Sequence, residues 1–208
     1  FFKRSKMNKS DVKMLRAALR QIAALCAATG NNLLHNYAWR EHIQINDLEQ
    51  ILNTPVMKNN RITGADFSTQ QYKNGELKSC KGERSKTTNK LSKSKCKFEF
   101  DKQNDPIRAQ QTQKYDCLMF TIFEGYNPDA VVHIVIRSNN AIKEFNAKVR
   151  SKQIEFNNKL QESLKAGRRG GRDSICFDYY DIKSMTSCEF FDANRKSLTR
   201  EQFNNLFH

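Results

Sequence analysis

The sequence predicts an α/β domain with a mixed central sheet flanked by helices. Three observations predict it: a helical apolar repeat near the N-terminus, a block of short β-rich runs in the middle, and a return to helical spacing after residue 139. In the first helix, Val12, Leu15, Leu19, Ile22 and Cys26 recur at spacings of 3, 4, 3 and 4, with Ser10 as the expected N-cap and an end near Gly30. Residues 33–53 carry a weaker helical pattern with Leu48, Ile51 and Leu52 on one side, closed by Pro55. From Ile62 the texture becomes strand-like over 62–68, 76–80, 97–101, 116–123 and 131–137. The runs CLMFTIFE and VVHIVIR are nearly all apolar, as expected of central strands buried on both faces.

Residues 139–166 read as a helix, with Ile142, Phe145, Val149, Phe156, Leu160 and Leu164 along one stripe and Gly167 at its end. A basic turn, Arg168-Arg169-Gly170-Gly171-Arg172, leads to a strand expected over Ile175–Ile182 and a mixed tail. No internal repeat or Pro/Gly/Ser linker interrupts the chain. It therefore reads as one domain over 1–208, with a helical part at 10–55, a sheet at 60–140 and a C-terminal helix and strand at 141–208.

Length excludes little, since 208 residues suffice for a real core without staples. Charge is more selective. Thirty-six Lys and Arg against 22 Asp and Glu give +14, which points to a polyanionic partner. No apolar stretch is long enough to span a membrane, and none of signal-peptide length opens the sequence. The six cysteines form no C-x-x-C pair, and Cys26, Cys117 and Cys176 sit in apolar runs, as reduced buried thiols do. An intracellular, cytoplasmic location is the expectation. Half of the net charge lies in Lys78–Lys97, where Lys78, Lys81, Arg84, Lys86, Lys90, Lys93, Lys95 and Lys97 face one acid, Glu83. With few apolar residues, this segment reads as a loop or arm that a nucleic-acid backbone would neutralise. Lys143–Arg172 adds a second excess of +6, ending in Arg168, Arg169 and Arg172.

For chemistry, the histidines give no nuclease or metalloprotease spacing, and no P-loop or G-x-S-x-G is present. The pattern acid-x-Lys occurs at Asp11, Glu76 and Asp181. Asp11 belongs to the first turn of a helix, and Asp181-Ile182-Lys183 follows a strand that also holds Asp173 and Asp178. Glu76-Leu77-Lys78 puts an acid and a lysine on one face of a strand, with Asp66 ten residues earlier. Two carboxylates on neighbouring strands hold a hard cation such as Mg²⁺, and an adjacent lysine serves the attacking water. The dipeptide Asn74-Gly75 competes with this reading: a two-residue hairpin there would put Asp66 about 20 Å from the partner of Glu76. The site needs a wider connection, at about 69–74, that pairs Asp66 near Leu77.

Asp66…Glu76-Leu77-Lys78, after an N-terminal helix and before further strands, resembles the PD-(D/E)xK nuclease superfamily, and within it the small type II restriction endonucleases. The resemblance covers roughly residues 10–140 and rests on three motif residues. It implies an αβββαβ core, Mg²⁺ bound by Asp66, Glu76 and the Leu77 carbonyl, and Lys78 acting on the water. It further implies hydrolysis of double-stranded DNA to 5′-phosphate ends by a homodimer on a palindromic site. Ala65 stands where members often carry proline, and the acid that some members place on the first helix has candidates in Glu41, Glu49 and Glu83. A non-catalytic nucleic-acid-binding protein and a structure-specific repair nuclease of the same superfamily are the alternatives.

Overall fold

The structure is a computed structural model, and it describes residues 7–29, 38–59, 65–125, 128–167 and 174–208. Two helices come first, α1 (Lys9–Thr29) and α2 (Ala38–Leu52), followed by strands β1 (Met57–Lys58), β2 (Phe67–Ser68), β3 (Gly75–Gly82) and β4 (Lys97–Phe100). A short helix α3 (Pro106–Thr112) precedes β5 (Cys117–Glu124) and β6 (Ala130–Ile136). The long helix α4 (Asn139–Lys165) leads to β7 (Ile175–Asp178), α5 (Tyr179–Ser184), β8 (Glu189–Asp192), β9 (Ser197–Leu198) and α6 (Arg200–Asn205).

Seven strands form one mixed sheet in the order β1-β2-β3-β5-β6-β8-β9. Every neighbouring pair is antiparallel except β3 and β5, whose parallel pairing requires the crossover through β4 and α3. As the apolar runs predict, β5 is buried at every residue but the last, and β6 at every residue but Val131. Alternation sorts β5 onto two layers. Leu118, Phe120 and Ile122 join a core with the β4–β7 ribbon and α4, while Cys117 and Met119 pack with Ile45 and Leu48 of α2. The first layer is aromatic: the Phe120 ring stacks on Phe98 at 4.7 Å and meets Phe177 at 5.7 Å.

The sequence expectations are corrected at several ends. Helix α1 is capped by Asn8 rather than Ser10: the Asp11 amide donates to Asn8 Oδ1 at 2.9 Å, and the Asn8 amide to Asp11 Oδ2 at 3.2 Å. The described part of 62–68 holds only the two-residue β2, and β1 lies earlier, between the helix closed by Pro55 and the strand expected from Ile62. The strand expected to reach Ile182 stops at Asp178, whose carboxylate accepts from the Tyr180 and Asp181 amides and starts α5. Asp181 is thereby spent on the capping box and on Lys152 at 2.9 Å. The segment 78–97 is no free arm. It begins inside β3, and Leu91 and Cys96 are buried in the aromatic layer, with Leu91 bridged to Arg84 and Phe207.

Between α2 and the sheet runs a chain of buried polar groups. Asp47, 1% exposed, receives Arg16 Nη2 at 2.7 Å and faces His133 Nε2 at 3.4 Å and Arg195 Nη1 at 3.6 Å. His133 Nδ1 meets the Thr121 hydroxyl at 3.0 Å, and Gln44 Nε2 donates to that hydroxyl and to the Lys78 carbonyl. Burial pushes the Asp47 carboxyl up, but His133 and Arg16 outweigh it and hold it below the usual range. Removing that charge leaves Arg16 with Asp129 alone and Arg195 without its facing carboxylate. Asp47→Asn is therefore expected to cost about 3 kcal/mol in urea unfolding, against under about 1 kcal/mol for Asp129→Asn at the half-exposed end of the same network. Equal losses would show that Asp47 is not the buried anchor.

Candidate active site

Strand β3 sets the site by its pleat. Leu77 faces α2, while Glu76, Lys78 and Cys80 point to the opposite layer, beside Phe100. The connection before β3 is the wide one. Phe67 pairs with Gly75, the Asp66 amide donates to the Gly75 carbonyl at 2.8 Å, and Asp116 accepts from the amides of Lys73 and Asn74. Gly75 is needed for close approach rather than for a turn: a Cβ there would lie 2.3 Å from the Phe67 ring. This register carries Asp66 to β3, where its Oδ2 accepts the Leu77 amide at 2.9 Å.

Asp66, Glu76, Leu77 and Lys78 are thus brought together. Lys78 Nζ lies 2.6 Å from Glu76 Oε1 and 5.0 Å from the centre of the Phe100 ring. Burial pushes the Glu76 carboxyl up to about 7; Lys78 opposes the rise and Asp66 adds to it. Burial likewise raises Asp66, with the Leu77 amide and Lys78 opposing and Glu41 adding. Glu76 and Lys78 open into a pocket of about 160 Å³ also lined by Tyr115, Arg108, Lys102 and Gln103.

The residue types fit a hard cation. Two buried carboxylates whose proton affinity burial has raised form an oxygen donor set in want of positive charge. Among the described residues no group of three or more His, Cys, Asp or Glu gathers at metal-binding distance, so such a cation would take two carboxylates, a carbonyl and waters. Of the candidates for a further acid, Glu41 is the one that acts on Asp66, and Lys58 Nζ holds it at 2.9 Å. Glu49 instead accepts the Val56 amide, and Glu83 lies between Lys81 and Lys95.

Sequence reasoning missed Tyr115 and Arg108. Tyr115 is hydrogen-bonded to Glu76, and burial together with that carboxylate pushes its phenol up. Both residues reach the pocket from α3 and the turn after it, and no spacing in the sequence signals that. The expected basic contacts are dispersed. Lys86, Lys90 and Lys97 are exposed, whereas Arg84 is tied to Glu124 at 2.8 Å and Lys93 covers the Tyr179 ring at 5.7 Å. Lys81 and Lys95 lie 3.9 and 3.6 Å from Glu83. Arg168, Arg169 and Arg172 lie outside the described residues. No helix among the described residues is long and apolar enough to cross a membrane. No protein-family model matches the chain, and no curated protein matches it in sequence.

The raised Glu76 carboxyl has a signed consequence for stability. Between its ordinary value of 4.5 and about 7, the folded protein keeps a proton that the unfolded chain has released. Stability from this group therefore falls as pH rises through that window. In metal-free buffer, Glu76→Gln is expected to melt higher than the parent at about pH 8 and level with it at about pH 5. A difference that is the same at both pH values would show that Glu76 ionises normally.

Proposed function

We propose that the protein is a Mg²⁺-dependent, sequence-specific DNA endonuclease of the type II restriction class, built on a PD-(D/E)xK core. The observation that carries this reading is the convergence of Asp66, Glu76 and Lys78 on one strand. Asp66 is bonded to the Leu77 amide, and Glu76 lies 2.6 Å from Lys78. The order of elements supports the reading: α2, β1, β2, β3, α3 and β5 occur in an αβββαβ order once β4, which pairs with β7 outside the central sheet, is set aside as an insertion between β3 and α3, and β5 is parallel to β3. The net charge of +14 supplies the attraction for a polyanionic substrate.

In this reading Asp66, Glu76 and the Leu77 carbonyl would hold Mg²⁺, which when bound would supply charge neutralisation at the phosphodiester and a more acidic water. The chain's own residues do the rest. The Phe100 ring and Glu76 fix the Lys78 ammonium, so that it holds the attacking water in line with the phosphorus. Tyr115 fixes the Glu76 carboxylate, and Arg108 faces the pocket where the scissile phosphate would sit. The water oxygen bonds to phosphorus and gives up its proton to solvent as the P–O3′ bond breaks, and O3′ takes a proton from solvent, leaving a 5′-phosphate and a 3′-hydroxyl. Two copies related by a two-fold axis would cut the two strands of a palindromic site.

The test is digestion of plasmid DNA in Mg²⁺ followed by sequencing of the fragment ends. The expected result is discrete fragments sharing a short sequence, with Lys78→Ala and Glu76→Ala slower by at least about 10² while retaining most DNA affinity. Cleavage at the parent rate by either variant removes the site assignment. Ends without a common sequence favour the structure-specific repair nuclease, and retarded but intact DNA favours the non-catalytic binder.

A further inference from the structure

The α1–α2 face of the sheet holds a second basic feature, and we propose that it grips the phosphodiester backbone of a nucleic-acid strand. It is a groove of about 510 Å³ between α1, α2 and the β8–β9 turn. Lys9, Lys13, Arg16 and Arg20 recur along α1 at spacings of 4, 3 and 4, so they form one stripe about 16 Å long. All four line the groove, and Arg195 faces them from the β8–β9 turn. Five lining cations meet two carboxylates, Asp129 on the wall and Asp47 beneath it, which leaves an excess of three positive charges.

The arginines and the lysines have separable roles. Arg16 is fixed by Asp47 and Asp129, and Arg20 by Asp129 at 2.7 Å; these pairs fasten α1 to the domain and set the guanidinium planes in advance. Lys9 and Lys13 have no ion-pair partner among the described residues, so they add nothing to that fastening. Arg195 donates through Nη1 to the Ala193 carbonyl, while its Nε is buried with no acceptor among the described residues. The guanidinium also faces Asp47 Oδ1 at 3.6 Å, so Arg195 is held in place at the groove wall as Arg16 is. Amides complete the lining, from Asn46 and Gln50 on α2 and Asn194 on the turn, and they suit phosphate and sugar oxygens. One phosphate per about 3.4 Å of axis lets several successive phosphates follow the stripe.

This inference rests on the nucleic-acid part of the proposed function and not on cleavage. Its test measures binding of short labelled duplexes and single strands, in two unrelated sequences, by fluorescence anisotropy in EDTA across a salt series. The double variant Lys9→Gln/Lys13→Gln is compared with the parent, and melting temperatures report folding. The expected result is binding weaker on the order of tenfold for both sequences and a salt slope shallower by about 2 on duplex, with melting unchanged. Unchanged affinity and slope in the variant overturn the groove, as does a parent protein that binds no oligonucleotide. A third arm adds millimolar inorganic phosphate: if it raises the melting temperature of the parent alone while oligonucleotide affinity is equal in both, the groove holds a free anion and no strand. A parent that binds but fails to cut in Mg²⁺ sinks the catalytic reading and leaves the groove intact.

Discussion

The candidate site depends on one register, the pairing of Phe67 with Gly75 that sets Asp66 against the Leu77 amide. Strand pairing has a period of two, so a slip of β2 by one residue against β3, which its ladder with β5 holds in place, would turn the Phe67 ring to the other face and carry Asp66 away from the Leu77 amide. Three features fix the register. The Phe67 ring lies so close over Gly75 that a side chain there would displace it, Asp116 holds the amides of Lys73 and Asn74, and Thr69 accepts from the amides of Gln71 and Tyr72. The strand β2 is only two residues long, so the loop contacts rather than the ladder carry this alignment.

Legibility from sequence follows the same division. The apolar runs of β5 and β6 are set by burial, which composition records directly, and they emerged where expected; helix α4 did too, but of its expected stripe only Phe145 and Val149 are buried, Gln153 is buried beside them, and Leu164 is exposed. Glu76 and Lys78 were legible because a strand puts alternate residues on one face, whatever its partners. What stayed hidden depends on long-range docking. Tyr115 and Arg108 meet Glu76 only because the β3–β5 crossover carries α3 to the mouth of β3. The basic segment misled for a related reason: its charge density suggested a solvated arm, but two apolar residues, Leu91 and Cys96, tie it into the core. Asn74-Gly75 offered a competing hairpin, but its glycine answers to the Phe67 ring, and the wider connection that the site needs is the one present.

Beneath β3 the polar chain from Asp47 through His133, Thr121 and Gln44 ends on the Lys78 carbonyl. Each buried donor or acceptor in such a chain costs free energy unless matched, so the chain fixes relative positions more firmly than apolar packing alone. It joins the backbone of the candidate catalytic lysine to the arginines that hold α1. The two basic faces are therefore not independent decorations of the fold. Arg16 and Arg195, at the groove, and Lys78, at the pocket, are placed by one set of hydrogen bonds and ion pairs across α2 and the sheet.

The two ends of that chain treat charge in opposite ways. Asp47 is buried among cations and keeps its carboxylate easily, so its burial is compensated within the fold. Asp66 and Glu76 are buried with less compensation: burial raises both carboxyls, and Lys78 offsets that only in part. A chain carrying +14 has cations to spare for a second partner there, yet Lys58 is engaged with Glu41 and Arg108 stands at the pocket wall. An under-compensated carboxylate pair lowers the stability of the free protein and raises its affinity for an added cation by the same free energy. Structural ion pairs, such as Arg16 with Asp47, have no such imbalance. On the proposed function, this difference is why the cation is assigned to the β3 cluster and not to the larger α1–α2 groove.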